Sequence, residues 1–230
     1  TMMNVPQLWH QSIHWNLGLA YASAHLQILA FGIGIIGLLL GFGVRLIPHR
    51  PIWKPHHRWL IGILLLAAFL RLWDLEHAIR MFVDEFLFIR GVVAIELDNM
   101  KILLPDANAF TDIFSFFQFW VKQVLGPGLS AVRIPSAVFG VFGVLGVYAL
   151  ARQIFSLRIA LLSAFLLAIM PVHIHFSRIG LNNMAGSVIA IWCFVYVLRG
   201  MRHRRLADFA VAGVLLGLTH YFYEGERLFI

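Results

Sequence analysis

The sequence predicts an all-α polytopic membrane protein with about six transmembrane helices and a long extracytoplasmic first loop carrying interfacial helices. Three observations predict it. Apolar residues make up 60% of the chain and charged residues only 13%, against about a half and a quarter in ordinary soluble domains; the mean hydropathy is +0.83. Several uncharged runs approach the roughly 20 residues that a bilayer core of about 30 Å demands of a helix. Finally, the basic residues fall in short loops that alternate with those runs.

The spans follow in order. Leu26 to Val44 is uncharged and makes the first. Trp59 to Trp73 makes the second, with Arg71 near one end, where its stem can snorkel to the interface. Residues 134–151 and 159–173 are the third and fourth. Ile179 to Leu198 covers the fifth, whose first residues through Asn183 are polar enough to be loop, which leaves a span near 184–198. Residues 209–223 are the sixth. Residues 1–23 read as an N-terminal extracytoplasmic segment, and 24–230 as the N-terminal part of a longer membrane domain, because the chain stops at Ile230 inside an aromatic, apolar run.

Orientation comes from the loops. Arg45, Arg50, Lys54 and Arg58 share one loop, Arg152 and Arg158 a second, and Arg199, Arg202, Arg204 and Arg205 a third. These three alternate correctly with six spans, so all are expected in the cytoplasm. The same rule explains the net charge of +7 and pI near 10.2 better than nucleic-acid binding does. Of eleven acids, only Asp208 lies on the inner side. The rest gather outside, mostly in the loop 74–133. Within that loop, Asp84 to Asn99 places Phe86, Ile89, Val93 and Leu97 at helical spacing, as an interfacial amphipathic helix would. Thr111 to Val124 is a second helix candidate, and Pro105 to Asn108 a turn between them. Gly140, Gly143 and Gly146 read as a close-packing stripe of small residues. Cys193 has no partner for a disulfide.

Four groups of residues carry chemistry. The adjacent acids Asp84 and Glu85 lie just outside the second span. A carboxylate held against a hydroxyl acts as a general base, although two acids also suit a helix N-terminus. The run His173 to Arg178, with Asn182 and Asn183, ends the fourth span. Arg178 suits a lipid phosphate through its planar fork, or else an ion pair with a loop acid. His175, with His173, is more readily interfacial than metal-ligating. Beyond the sixth span, Tyr223, Glu224 and Arg227 form either an aromatic belt with flanking charges or contacts to a sugar and a phosphate. Asp112 stands alone in an aromatic stretch, as a helix cap or a binder of acceptor, sugar or metal.

The order of these pieces resembles the membrane glycosyltransferases of the C-type fold, in the protein O-mannosyltransferase-like and aminoarabinose-transferase-like branch. The likeness runs from about Trp59 to the end. It comprises a span closing in RLWDL (71–75), the outer-loop pair Asp84-Glu85, and RIPSAVFGVFGVLGVYALARQIF (133–155). It continues through RIALLSAFLLAIMPVHIHFSRIGLNN (158–183) and DFAVAGVLLGLTHYFYEGERL (208–228). Many relatives carry a Pro before an outer Phe- or Leu-rich helix; here the Asp112 region stands in its place. The span 26–44 precedes the similar region.

The resemblance implies transfer of one sugar from a polyprenyl-phosphate carrier to a protein, lipid or glycan acceptor on the outer face, usually with inversion. It implies Asp84 as the base, Glu85 as its support, and Arg178 and Arg227 as cations at the leaving phosphate. His175, Asn182, Tyr223, Glu224 and Asp112 are the remaining candidates for substrate contacts. No nucleotide-sugar glycine motif is needed, and the sequence has none. Nothing in the sequence requires a metal or other cofactor, and the need for a divalent cation stays open. The expected location is the plasma membrane, with the active site facing outward. The alternatives are a membrane transporter, which would place ionisable groups inside its spans, and a non-catalytic assembly subunit, which would leave the outer acids without a role.

Overall fold

The computed structural model describes residues 24–44, 57–77, 80–97 and 113–222. Among them are nine helices and no strand: α1 (Ala24–Gly41), α2 (His57–Leu72), α3 (Glu85–Glu96), α4 (Ile113–Leu125), α5 (Leu129–Ile154), α6 (Leu157–Ile169), α7 (Pro171–Ser177), α8 (Asn183–His203) and α9 (Leu206–Thr219). Most described residues of the six expected spans are helical, as are most of those in the two helices expected in the first loop. The predicted turn at 105–108 and the N-terminal segment lie outside the described residues.

Helix length separates the spans. α1, α5 and α8 have 18, 26 and 21 residues and are apolar enough to cross a membrane. At 1.5 Å per residue, α5 is about 39 Å long. The fourth expected span is not one rod: α6 and α7 meet at Met170–Pro171 with a bend of 61°, and together they make a fourth crossing if counted as one. Proline lacks the N–H that would bond back to residue 167, and its ring crowds that carbonyl. α2 and α9 sit where spans are expected, but have 16 and 14 residues, about 24 and 21 Å by the same rise, short of a 30 Å core.

α5 is the axis of the molecule, packed against α2, α3, α4, α6, α7 and α8. Its glycines explain how so many neighbours fit. A Cβ on Gly140 would collide with the Ser177 hydroxyl and lie 2.7 Å from Ser177 Cβ. One on Gly143 would lie 2.9 Å from Val188, and one on Gly146 3.0 Å from Ile191. The stripe is a packing surface, as expected. Beside it, Ala67, Val144, Ala164 and Ala168 bring α2, α5 and α6 together through small side chains. In bilayers, where apolar burial alone drives little association, such close approach gains dispersion contacts.

α3 and α4 close one end. Val92 and Ile95 of α3 and Ile113, Phe114, Phe116 and Phe119 of α4 form a core with Ala185 and Ile189 of α8. The stripe Phe86, Val93 and Leu97, read from the sequence as one face of α3, is exposed. The buried face is instead Glu85, Phe88, Val92 and Ile95, at offsets of three, seven and ten. α3 therefore carries apolar residues on two sides, one toward protein and one outward, as an interfacial helix requires.

Arg71 corrects a second expectation. It does not snorkel; it turns inward and is wholly buried. Its Nη1 donates to the Ala67 and Ala168 carbonyls at 3.1 and 3.0 Å. Its Nη2 donates to the Leu167 carbonyl at 3.2 Å and to His173 Nδ1 at 2.8 Å. Leu167 and Ala168 are carbonyls that the break at Pro171 leaves short of helix donors. A buried guanidinium, always charged and rich in donors, satisfies them. The exchange is reciprocal: Arg178, after α7, donates to the carbonyls of Leu70, Trp73 and Asp74 at 3.0, 2.7 and 3.3 Å, where α2 ends. Asp74 turns the chain there with φ 47, a left-handed conformation that Asp tolerates better than most residues.

Candidate functional site

The two adjacent acids have opposite surroundings. Asp84 occupies the N-cap position of α3 (φ −70, ψ −20) but makes no capping hydrogen bond through its side chain. It is exposed, and among the described residues its carboxylate has no partner. Glu85, one residue on, is fully buried because it heads the inward stripe of α3. The two acids do stand at a helix N-terminus, yet Asp84 leaves the cap unmade.

Glu85 is the centre of a closed network. Its Oε1 accepts from Arg133 Nε and from the Gly180 N–H, both at 2.8 Å. Its Oε2 accepts from Arg133 Nη2 at 2.9 Å and from the Phe82 N–H at 2.8 Å. Arg133 also donates to the Leu75 carbonyl at 2.7 Å. Gly180 in turn accepts from Gln118 Nε2 at 3.0 Å, and Gln118 holds the Val132 carbonyl at 2.8 Å. A Cβ on Gly180 would lie 2.6 Å from Val132 Cγ1, so glycine is what lets this loop meet α5. The carboxylate of Glu85 thus ties α3 to α5 and to the α7–α8 connection, and Gln118 adds α4 through the Gly180 and Val132 carbonyls. Burial by itself would raise the Glu85 carboxyl's pKa. The hydrogen bonds from Arg133 and the two amides outweigh it and hold the group below the usual carboxylate range.

A second carboxylate positions the same end. Glu76 accepts from the Leu129 and Ser130 N–H groups at 3.1 and 2.8 Å and from the Ser130 hydroxyl at 2.6 Å. It caps α5, whose first N–H groups have no partner within the helix. The hydroxyl and amide bonds hold its pKa below the ordinary value. The loop between α2 and α3 is therefore fixed by Glu76, Arg133 and Arg178, and Asp84 projects from a braced frame. Around it Met81, Phe82, Val83, Phe86 and Leu87 are exposed, Val83 at 84%, so the carboxylate stands on an apolar shelf.

The remaining predicted residues scatter. Arg178 is used on carbonyls at the end of α2, its Nε buried without a partner, and among the described residues it forms no ion pair. His175 is exposed, edge-on to Phe176 at 5.6 Å. His173 faces inward. Because Arg71 only donates, His173 Nδ1 must accept, and its proton sits on Nε2. The two histidines do not converge, and no group of three His, Cys, Asp or Glu residues able to hold a metal occurs among the described residues. Asn182 is buried, its amide on the Phe222 carbonyl. Asp112, Tyr223, Glu224 and Arg227 lie outside the described residues. The sequence reading gave no role to Arg133, Glu76 or Gln118. For Arg133 a signal existed, a lone arginine at the start of an apolar helix; a capping contact such as Glu76 across 53 positions leaves none.

No curated protein and no solved structure matches the chain. The family model described as dolichyl-phosphate-mannose-protein mannosyltransferase matches residues 113–230, from α4 through the end of the chain. The Asp84–Glu85 pair precedes the matched stretch, which covers Arg133, the α5 glycines, the break at Pro171, Arg178 and Gly180. With apolar helices long enough to cross a bilayer and more than half its length in the match, this chain belongs to the dolichyl-phosphate-mannose-protein mannosyltransferase family of membrane glycosyltransferases.

Proposed function

We propose that the protein transfers a sugar from a polyprenyl-phosphate donor to an acceptor on the extracytoplasmic face of a six-span membrane domain, with inversion, and that Asp84 is the general base. The observation that carries this reading is the contrast at the start of α3: an exposed carboxylate without a partner among the described residues, next to a buried one that accepts four hydrogen bonds.

Asp84 takes the proton of the acceptor nucleophile as that nucleophile attacks the anomeric carbon. The new bond forms on the face opposite the departing oxygen, the C1–O bond breaks, and its electron pair leaves on the carrier phosphate. Charge grows on that phosphate, and a fixed cation lowers the barrier. Arg178 suits this role because among the described residues no carboxylate pairs with it; Arg227 is the second candidate. Glu85 does not take a proton in this scheme. Its four accepted bonds make it the anchor that aims Asp84. The apolar shelf beside Asp84 suits an isoprenoid chain arriving from the bilayer.

The test is transfer by the full-length enzyme from a panel of polyprenyl-phosphate sugars, wild type against Asp84→Asn. A base contributes about 10²- to 10⁴-fold, and Asp84 makes no bond that the fold would lose. We expect transfer to fall by that factor with thermal stability unchanged. Full activity in the variant overturns Asp84 as the base, and no transfer by wild type from any such donor overturns the donor class.

A further inference from the structure

The end of the bundle opposite Asp84 carries six arginines: Arg152 and Arg158 at the α5–α6 turn, and Arg199, Arg202, Arg204 and Arg205 at the α8–α9 turn. In sequence these are two separate basic loops. The packing of α5 against α8 makes them one surface, with Arg202 Nη1 3.5 Å from the Gln153 carbonyl. One acid lies between residues 113 and 222, Asp208. It is buried and paired to Arg199 at 3.2 Å. Arg152 turns back to the Phe155 carbonyl at 3.2 Å. Arg158, Arg204 and Arg205 are exposed and have no partner among the described residues.

Two further features say what such a surface meets. Ile154, Phe155, Met201 and Leu206 stand among the arginines with exposures of 59, 52, 64 and 74%, so the cations sit in an apolar rim, not on a wholly polar face. Arg204 has φ 51 and ψ 42 at the C-cap of α8. Helices that end in this left-handed conformation usually use glycine, because a side chain there costs about 1–2 kcal/mol. An arginine is held where the backbone alone would favour glycine.

We propose that this end binds the headgroups of anionic phospholipids. The apolar rim enters the acyl boundary while Arg158, Arg204 and Arg205 meet the phosphates. Guanidinium groups suit phosphate oxygens through paired N–H donors. A soluble anion would leave the rim unused, and a zwitterionic headgroup would leave the charge unmatched.

The test uses the full-length protein in neutral detergent, with lipid binding read by native mass spectrometry for phosphatidylglycerol and phosphatidylcholine. A basic residue near an anionic surface contributes about 1 kcal/mol, roughly fivefold, so replacing Arg158, Arg204 and Arg205 together by Gln should weaken phosphatidylglycerol binding about 100-fold and leave phosphatidylcholine unaffected. Arg204→Gly separates binding from structure: it should weaken phosphatidylglycerol binding while the lipid-free protein melts no lower than wild type. Lys122→Ala, at the opposite end, should leave lipid binding intact. Equal binding of the two lipids, wild-type binding by the triple variant, or displacement of phosphatidylglycerol by inorganic phosphate at equal concentration would each overturn the proposal.

Discussion

Two groups of three arginines, one near Asp84 and one at the opposite end of the bundle, have opposite fates, although Arg80 and Arg90 near Asp84 are also exposed. At the end that carries Asp84, Arg71 and Arg133 are wholly buried and Arg178 is largely engaged, each donating to carbonyls of another helix or loop. At the other end Arg158, Arg204 and Arg205 project outward. The difference lies in what each neighbourhood leaves unsatisfied. A helix broken at Pro171 and a buried Glu85 present acceptors shielded from water, a helix ended at Asp74 presents further carbonyls nearer the surface, and a guanidinium with five donors is the side chain best able to meet them. At the α5–α6 and α8–α9 turns, Arg158, Arg204 and Arg205 meet no such acceptors among the described residues and project outward. The catalytic candidate is thus built on a frame of internal cations, whereas the opposite end keeps its cations for a partner.

The sharpest way to break this comparison is to remove a buried arginine. Arg133→Met leaves Glu85 buried without its cation, and losing one member of a buried pair costs about 3–5 kcal/mol. We expect a large drop in the thermal midpoint of the detergent-solubilised protein. Glu85→Gln combined with Arg133→Met should recover part of it, since no charge is then stranded. If Arg133→Met melts like wild type, the frame is not held as described.

A smaller effect is expected from Gly140→Ala. The added methyl meets Ser177 and comes within 3.1 Å of Arg71 Cδ, and overpacking of this kind costs about 1–3 kcal/mol. Gly213→Ala, with open space around it, is the matched control and should be neutral by the same melting measurement.

Acid should act through Glu85. Its folded-state pKa is depressed, so its contribution is fully present above the unfolded value, near 4.3. That contribution is lost as pH falls through the folded value. Wild type should therefore lose stability below about pH 4, and Glu85→Gln, less stable at neutral pH, should show a flatter profile there. Parallel pH profiles for the two proteins would remove Glu85 as the acid-sensitive group.

The smallest effect belongs to the exposed pair Lys122–Glu96, 2.7 Å apart. Lys122→Ala should change stability by less than about 1 kcal/mol, less still in high salt. A larger loss would mean that the partly exposed ion pairs of this end carry weight comparable to its buried ones.

Much of the helical plan was readable from the sequence because bilayer thickness and apolar run length are local properties. α1 and the two loop helices fall within a few residues of where the pattern puts them. The boundaries missed most were the start of α5, predicted at 134 and found at Leu129, and the end of α8, predicted at 198 and found at His203. Arg133 reads as loop by its charge, but it is buried on a helix because Glu85, 48 positions away, pairs with it. The bend between α6 and α7 had its cause in plain view in Pro171, while the group that supports it, Arg71, was read as snorkelling. Asp84 and Glu85 were singled out together. Their division into an exposed acid and a buried anchor depends on which stripe of α3 faces inward, and α3 has apolar residues on both.

By itself the sequence determined that this is a helical membrane protein, where most of its helices lie, that the loop 74–133 gathers acids, and that its glycine stripe serves packing. Each follows from composition or spacing over a few turns. Only the tertiary structure decided that Glu85 is buried while Asp84 is exposed, that Arg71 and Arg178 exchange carbonyls between neighbouring helix ends, and that two basic loops form one surface. Those outcomes turn on hydrogen bonds and charges meeting across 40 to 110 positions. The free energy of a buried charge is set by whichever partner the fold delivers, not by its neighbours along the chain.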